Sequence, residues 1–231
     1  MKKLKRIILR IYTALIGAVV YPVLLHEKQK PPFEEYNERS VEFAFIFKHL
    51  SKLAPERILD VGSGRSALPA MMANCGFIVD ATDQKKGYWK GRGSVNRHYL
   101  VKDMDIVKCD PRPIYDVVTC VSTLEHIKDW RIAVKNMIGW LKPGGVLLLT
   151  CPCSPHEYIA DVYEGKKHFF TQSFALSNIF NAVLTCRGNP IFSDTSTYKI
   201  FSGRVWNDGH RVVPAEENCK DFQLACFYVM K

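Results

Sequence analysis

Apolar residues between positions 39 and 53 fall at Phe43, Ile46, Phe47, Leu50 and Leu53, the three-to-four spacing that lines one face of a helix. Pro55 ends that helix. The period then changes. Arg57–Val61 (RILDV) is a short apolar run that reads as a buried strand, followed at once by Gly62, Ser63 and Gly64. Residues 67–75 predict a helix closed by Gly76, since glycine accepts the left-handed turn that ends helices. Residues 77–82 (FIVDAT) predict a second strand, 99–101 a short third, and Tyr115–Val121 (YDVVTCV) a fourth. Residues 129–141 carry Ile132, Val134, Met137, Ile138 and Leu141 and predict another helix. Lys142, Pro143, Gly144 and Gly145 make a tight turn into a wholly apolar strand at 146–150 (VLLLT). A helix over 171–183, capped by Thr171 or Ser173, and a last strand over 222–230 complete the pattern.

Strands that read as continuous apolar runs and alternate with helices imply an α/β domain whose parallel sheet is covered on both faces. Residues 84–98 hold Gly87, Gly91 and Gly93 with Lys85, Lys86, Lys90, Arg92 and Arg97, and read as an exposed, solvated loop. No internal repeat is present. KQKPP at 28–32 is a polar, proline-marked linker. It divides a basic and apolar N-terminal segment, 1–31, from a domain, 32–231, that carries the function.

A chain of 231 residues with 47% hydrophobic and 24% charged residues is globular and long enough to bury a full core. Its net charge of +9 points to nucleic acid or to an anionic membrane surface. Residues 1–30 hold seven basic residues against one acid, so six of the nine net charges belong to that segment. The domain behind it is only mildly basic, which favours a lipid surface and argues against nucleic acid as the partner. Residues 11–25 (IYTALIGAVVYPVLL) are uncharged and apolar, but Arg10 and Pro22 break the stretch. A membrane span wants about 20 apolar residues, so the length is borderline. The segment lacks the small-x-small site of a cleaved signal peptide. A span would also place the domain outside the cytoplasm. The expectation is a segment lying in the membrane interface with its lysines and arginines toward anionic head groups; the alternative is a helix that covers the domain as a lid. The eight cysteines form no C-x-x-C pair and read as reduced thiols of a cytoplasmic protein.

Ligands of such sheets sit at the C-terminal ends of the strands. Gly62-x-Gly64-x-x-Ala67 fits a dinucleotide fingerprint, in which glycine lets the backbone approach a ligand closely. Asp83 closes the second strand, where an acid accepts hydrogen bonds from both hydroxyls of a ribose. An adenosine-containing ligand is the first inference. Asp60 stands just before the glycines, Leu124-Glu125-His126 follows the fourth strand, and Leu141 to Gly145 precede the fifth.

Taken together, ILDVGSG at 58–64, Asp83, YDVVTCVSTLEHI at 115–127 and LKPGGVLLL at 141–149 resemble the class I S-adenosylmethionine-dependent methyltransferases, in order and in spacing. Ser66 stands where that family usually has a third glycine. The resemblance implies a Rossmann-like, mostly parallel seven-stranded sheet with helices on both faces and an antiparallel C-terminal strand. It implies S-adenosylmethionine as cofactor, with Gly62, Ser63 and Gly64 lining its methionine part and Asp83 holding its ribose. An acid after the third strand is implied to receive the adenine amino group; Asp103 and Asp105 compete for that role, and Asp105, followed by Ile106, better fits the family's distance to Asp116. Asp60 is implied to brace the glycine loop or to reach the methionine ammonium.

A hydroxyl acceptor needs a general base. His126 is the candidate, with Glu125 as an orienting or gating acid; equally, the triplet only shapes the pocket, since it recurs in relatives with unlike acceptors. Cys151, Cys153, His156, Glu157 and His168 lack the spacing of a tetrahedral site, so no metal is expected. The segment after the fifth strand is expected to cover the substrate, and its Tyr158, Tyr163, His168, Phe169 and Phe170 suit a sugar or a ring. Residues 201–206 and 221–227 look like methyltransferases of bacterial surface-glycan gene clusters. The expected acceptor is therefore a saccharide or lipid-linked glycan, or another small molecule, met in the cytoplasm or at the cytoplasmic face of the membrane. The rival readings are an NAD(P)-dependent Rossmann oxidoreductase and a non-catalytic adaptor that binds S-adenosylmethionine.

Overall fold

The computed structural model describes residues 2–29, 38–84, 96, 98–154, 158–164, 167–186, 190–199, 213–214 and 223–231. The chain divides into two compact units, Met1–Tyr36 and Asn37–Lys231. The first holds one long helix, α1 (Lys2–Gln29), with Pro22 inside it. Among the described residues no helix is long and apolar enough to cross a membrane.

The second unit is built on one sheet. β1 (Arg57–Val61), β2 (Ile78–Asp83), β3 (Val101–Asp103), β4 (Tyr115–Val121) and β5 (Leu141–Cys153) run parallel in the order β3-β2-β1-β4-β5. β10 (Gln223–Met230) then pairs antiparallel with β5 on one side and with β8 (Ile191–Lys199) on the other. β9 (Val213–Pro214) adds a two-residue edge to β8. Seven full strands, mostly parallel, with an antiparallel C-terminal strand make up the expected sheet. A separate hairpin of β6 (Tyr158–Glu164) and β7 (Lys167–Ser173) follows β5.

Because successive strand residues point to opposite faces, the apolar runs feed two cores. On one face, Ile58, Val117 and Leu148 pack against Phe45, Ile46 and Leu50 of α2 (Arg39–Leu53) and against Leu68 and Met72 of α3 (Leu68–Asn74). On the other, Leu59, Val118, Leu149 and Phe227 meet Val134, Met137 and Ile138 of α4 (Trp130–Trp140) and Ile179 and Val183 of α5 (Leu176–Leu184). Gly76 closes the turn after α3 with φ +96°.

Four expectations need correction. Residues 171–173 belong to β7, so α5 starts only at Leu176; its N-cap is Ala175, and neither Thr171 nor Ser173 caps it. The third strand lies at Val101–Asp103, beyond the predicted 99–101, because it pairs with Ala81, Thr82 and Asp83 at the end of β2. β5 begins before the predicted turn: Leu141 already pairs with Tyr115, and Gly144, at φ +76°, absorbs the irregularity before Val146. β8 was not expected at all.

Candidate functional site

The C-terminal ends of β1, β2 and β4 converge on the loop at Gly62, Ser63 and Gly64. The Thr82 carbonyl accepts the backbone N–H groups of Gly62 and Ser63 at 2.8 and 3.0 Å. The Asp83 carboxylate accepts that of Gly64 at 2.7 Å. Gly62 and Gly64 have φ +75° and +47°, a region that favours glycine. At Gly62 the reason is also steric: a Cβ there would fall on the side chain of Thr123. Thr123 in turn donates its hydroxyl to the Gly62 carbonyl at 3.2 Å. Asn96 clamps the far side of the loop, donating its amide to the carbonyls of Gly64 and Ser66 at 3.1 and 2.8 Å.

Asp60 is buried beneath this loop. Its two carboxylate oxygens accept the hydroxyls of Ser63 and Thr119, each at 2.6 Å. Burial pushes its pKa up to about 6, against the lowering effect of those two hydrogen bonds. Of the two roles implied for Asp60, the geometry is that of a brace. Ser63 likewise turns its side chain inward to Asp60 and is buried.

At the end of β3, Asp105 accepts the backbone N–H of Val107 at 3.0 Å and the amide of Gln84, next to Asp83, at 3.2 Å. Lys108 lies 3.6 Å from the same carboxylate. Ile106 is buried in the core beside it. Asp103 pairs in register with Asp83 across the sheet, so both competing acids lie at its C-terminal edge, with Asp105 the more enclosed.

Helix α2 supplies polar groups that its sequence did not announce. Glu42 is fully buried and accepts the hydroxyls of Ser122, just past β4, and Thr150, within β5, at 2.5 and 2.7 Å. Its second oxygen pairs with Arg39 at 2.8 Å. Ser122 holds a left-handed φ of +41°, a strained conformation for a non-glycine residue, and its short bond to Glu42 helps fix it. Glu38 is also buried, and burial followed by the charge of Glu42 raises its pKa. The signal available in sequence was slight, because acids and arginines on a helix ordinarily face water.

Glu125 and His126 occupy a 3₁₀ turn, Leu124–His126, just beyond β4. Glu125 is completely buried, and among the described residues neither carboxylate oxygen has a hydrogen-bond partner. Burial drives its pKa far up, and the neighbouring Glu42 adds to this while Arg39 opposes it. The side chain of His126 is 30% exposed, and its Nε2 stands 4.0 Å from Glu125 Oε1. That separation exceeds a hydrogen bond, so Glu125 does not orient His126 by one. The β7 backbone lies against this turn, and Phe174, just after it, bridges Cys153. Phe174 also packs its ring on Trp130 at 4.9 Å. The side chains of the expected substrate cover, Tyr158 to Phe170, and residues 156, 157, 201–206 and 221–222 lie outside the described residues. Among the described residues no three side chains are grouped to hold a metal ion. A cavity of about 290 Å³ opens at the opposite edge of the sheet, lined by Pro55, Glu56, Asp116, Lys142 and Gly144, and is remote from all of these groups.

Comparison with known proteins shows the family and the fold. The methyltransferase domain family matches residues 33–183. A ubiquinone biosynthesis O-methyltransferase of Rickettsia felis is 30% identical over 112 residues, 46% of this chain and 45% of the relative. The chain thus spans under half the length of that relative. Among solved structures, the 1,6-didemethyltoxoflavin-N1-methyltransferase of Burkholderia thailandensis, with its substrate and S-adenosylhomocysteine bound, superposes with a TM-score of 0.57 at 16% identity, covering 96% of this chain and 89% of that one. An S-adenosylmethionine-dependent methyltransferase from Clostridium acetobutylicum gives 0.53 at 14% identity, covering 91% and 98%. At such identities the superpositions show the fold.

Proposed function

Since the chain belongs to the methyltransferase domain family, with S-adenosylmethionine as its cofactor, we propose that it moves the cofactor's methyl group to an acceptor hydroxyl. The acceptor we favour is a saccharide or lipid-linked glycan. The observation that carries methyl transfer is the braced loop, in which Asp83, Thr82 and Asp60 hold Gly62, Ser63 and Gly64 at the strand ends. Those residues fit an adenosyl sulfonium: a bare glycine edge admits its methionine part, and the acids at the ends of β2 and β3 accept from ribose hydroxyls and an adenine amino group.

When bound, the cofactor supplies an activated methyl on a sulfonium. Asp83 holds the ribose, Asp105 receives the adenine amino group, and Gly62 and Gly64 keep the backbone close to the methionine. His126, partly exposed at the end of β4, takes the acceptor proton. Holding both partners in line is worth up to about 7–11 kcal/mol of the barrier, so positioning carries most of the catalysis. Glu125 is buried in the turn it shares with His126, and burial raises its pKa, which favours the neutral acid. The β6–β7 hairpin, against the His126 turn, bounds the acceptor side.

A lipid-linked acceptor would be met by a cytoplasmic protein working peripherally at the cytoplasmic face of a membrane. The second reading is a phenolic hydroxyl on a lipid-soluble ring, favoured by the names of the curated relatives. Radiolabelled cofactor incubated with saccharide, lipid-linked glycan and phenolic acceptors separates them. Label in the saccharide fractions supports the first reading, and label only in the phenols replaces it with the second. Titration with S-adenosylhomocysteine and NAD tests the cofactor: tighter binding of NAD would return the oxidoreductase, and cofactor binding without transfer to any acceptor would return the adaptor.

A further inference from the structure

Helix α1 carries one continuous apolar row, although Leu9 and Val20 fall outside it on the side of the basic residues. Leu4, Ile8, Ile11, Leu15 and Val19 follow one another at steps of three and four and form one row along the helix. Positions 2, 6, 10, 13 and 17 take the same steps on the opposite side, where the sequence places Lys2, Arg6, Arg10, Thr13 and Gly17. The apolar row is bare: Leu4, Leu15 and Val19 are 62%, 63% and 74% exposed. Thr13, on the polar side, turns its hydroxyl back onto the Leu9 carbonyl at 2.8 Å. Ile16, Val20 and Tyr21 are also exposed, so toward its C-terminal half the apolar surface outgrows the narrow seam that a helix pair buries. A parallel pair would also bring the basic residues of two copies together. Arg10 and Pro22 interrupt the apolar stretch, and no described helix is long and apolar enough to cross a membrane.

We propose that α1 lies in the surface of an anionic phospholipid bilayer. The row from Leu4 to Val19 faces the acyl chains, and Arg6, Arg10 and their basic neighbours reach the phosphate layer. This inference does not rest on which acceptor is methylated.

Sedimentation of the full chain with vesicles tests it. The protein is expected to pellet with phosphatidylglycerol–phosphatidylcholine vesicles, far less with phosphatidylcholine alone, and less as salt is raised. Ile8→Glu with Leu15→Glu weakens anionic-vesicle binding at least tenfold, while melting temperature and S-adenosylhomocysteine affinity stay unchanged. Arg6→Glu with Arg10→Glu brings anionic binding down to the neutral-vesicle level. A full chain that stays in the supernatant, or an undiminished Ile8→Glu/Leu15→Glu variant, overturns the proposal. So does a dimer by light scattering that those substitutions dissolve, which makes a second copy the cover. A fall in melting temperature with vesicle binding unaltered also overturns it, because α1 then packs on its own chain.

Discussion

Asp83 reaches from the end of β2 to the backbone N–H of Gly64, 2.7 Å away, so the acid assigned to the ribose also holds the glycine loop. A hydrogen bond to a charged group is worth about 1.5–3 kcal/mol. Asp83→Ala is therefore expected to weaken S-adenosylhomocysteine binding roughly 10- to 150-fold by calorimetry. An unchanged affinity would remove Asp83 from the site.

Gly62 and Gly76 both have left-handed backbones, yet only Gly62 faces a neighbour, Thr123; nothing lies within 4 Å of a Cβ built at Gly76. Gly76→Ala is expected to cost only the backbone term, about 1–2 kcal/mol. Gly62→Ala adds the clash and displaces Thr123 from the loop. Chemical denaturation should rank Gly62→Ala as clearly the less stable, with cofactor binding lost at temperatures where Gly76→Ala still binds.

Glu42 receives two hydroxyls and a guanidinium inside the protein. Glu42→Ala strands Ser122 and Thr150 and is expected to cost about 2–4 kcal/mol in urea unfolding. This network shows where sequence reasoning stops. The apolar spacing of α2 is plain, and the helix runs over Arg39–Leu53 as that spacing requires. Nothing in the spacing announces that Glu42 will meet hydroxyls supplied by Ser122 and Thr150, far along the chain. Asp83 and the glycines were legible because strand-end chemistry is local. β8 (IFSDTSTYK) escaped because two thirds of its residues are polar, and its place in the sheet comes from pairing with β10.

Glu125 gives a pH dependence. Its folded pKa lies above its unfolded value because of burial, so the native state binds the extra proton. Stability from this group is complete below the unfolded pKa and is lost as pH rises through the folded one. Glu125→Gln cannot ionise. The difference in unfolding free energy between variant and parent should therefore shift in favour of the variant from pH 4 upward. A pH-independent difference would mean that Glu125 is charged in the native state.

His126 is assigned the acceptor proton. General-base catalysis contributes about 10²- to 10⁴-fold. His126→Ala is expected to lower kcat within that range and to leave S-adenosylhomocysteine affinity unchanged. A change confined to KM for the acceptor would assign His126 to pocket shape instead.

The position of β10 bears on how the molecule is made. This strand follows every other described strand in chain order, yet it lies between β5 and β8, and Lys231 hydrogen-bonds back to Gly145. While the chain emerges from the ribosome, β5 and β8 each wait with an unpaired edge that invites other chains. Folding is completed only by this long-range insertion, which is intrinsically slow. Pairing of β10 with β5 and β8, more than the stability of the finished sheet, is then the step before which these edges are most exposed to aggregation.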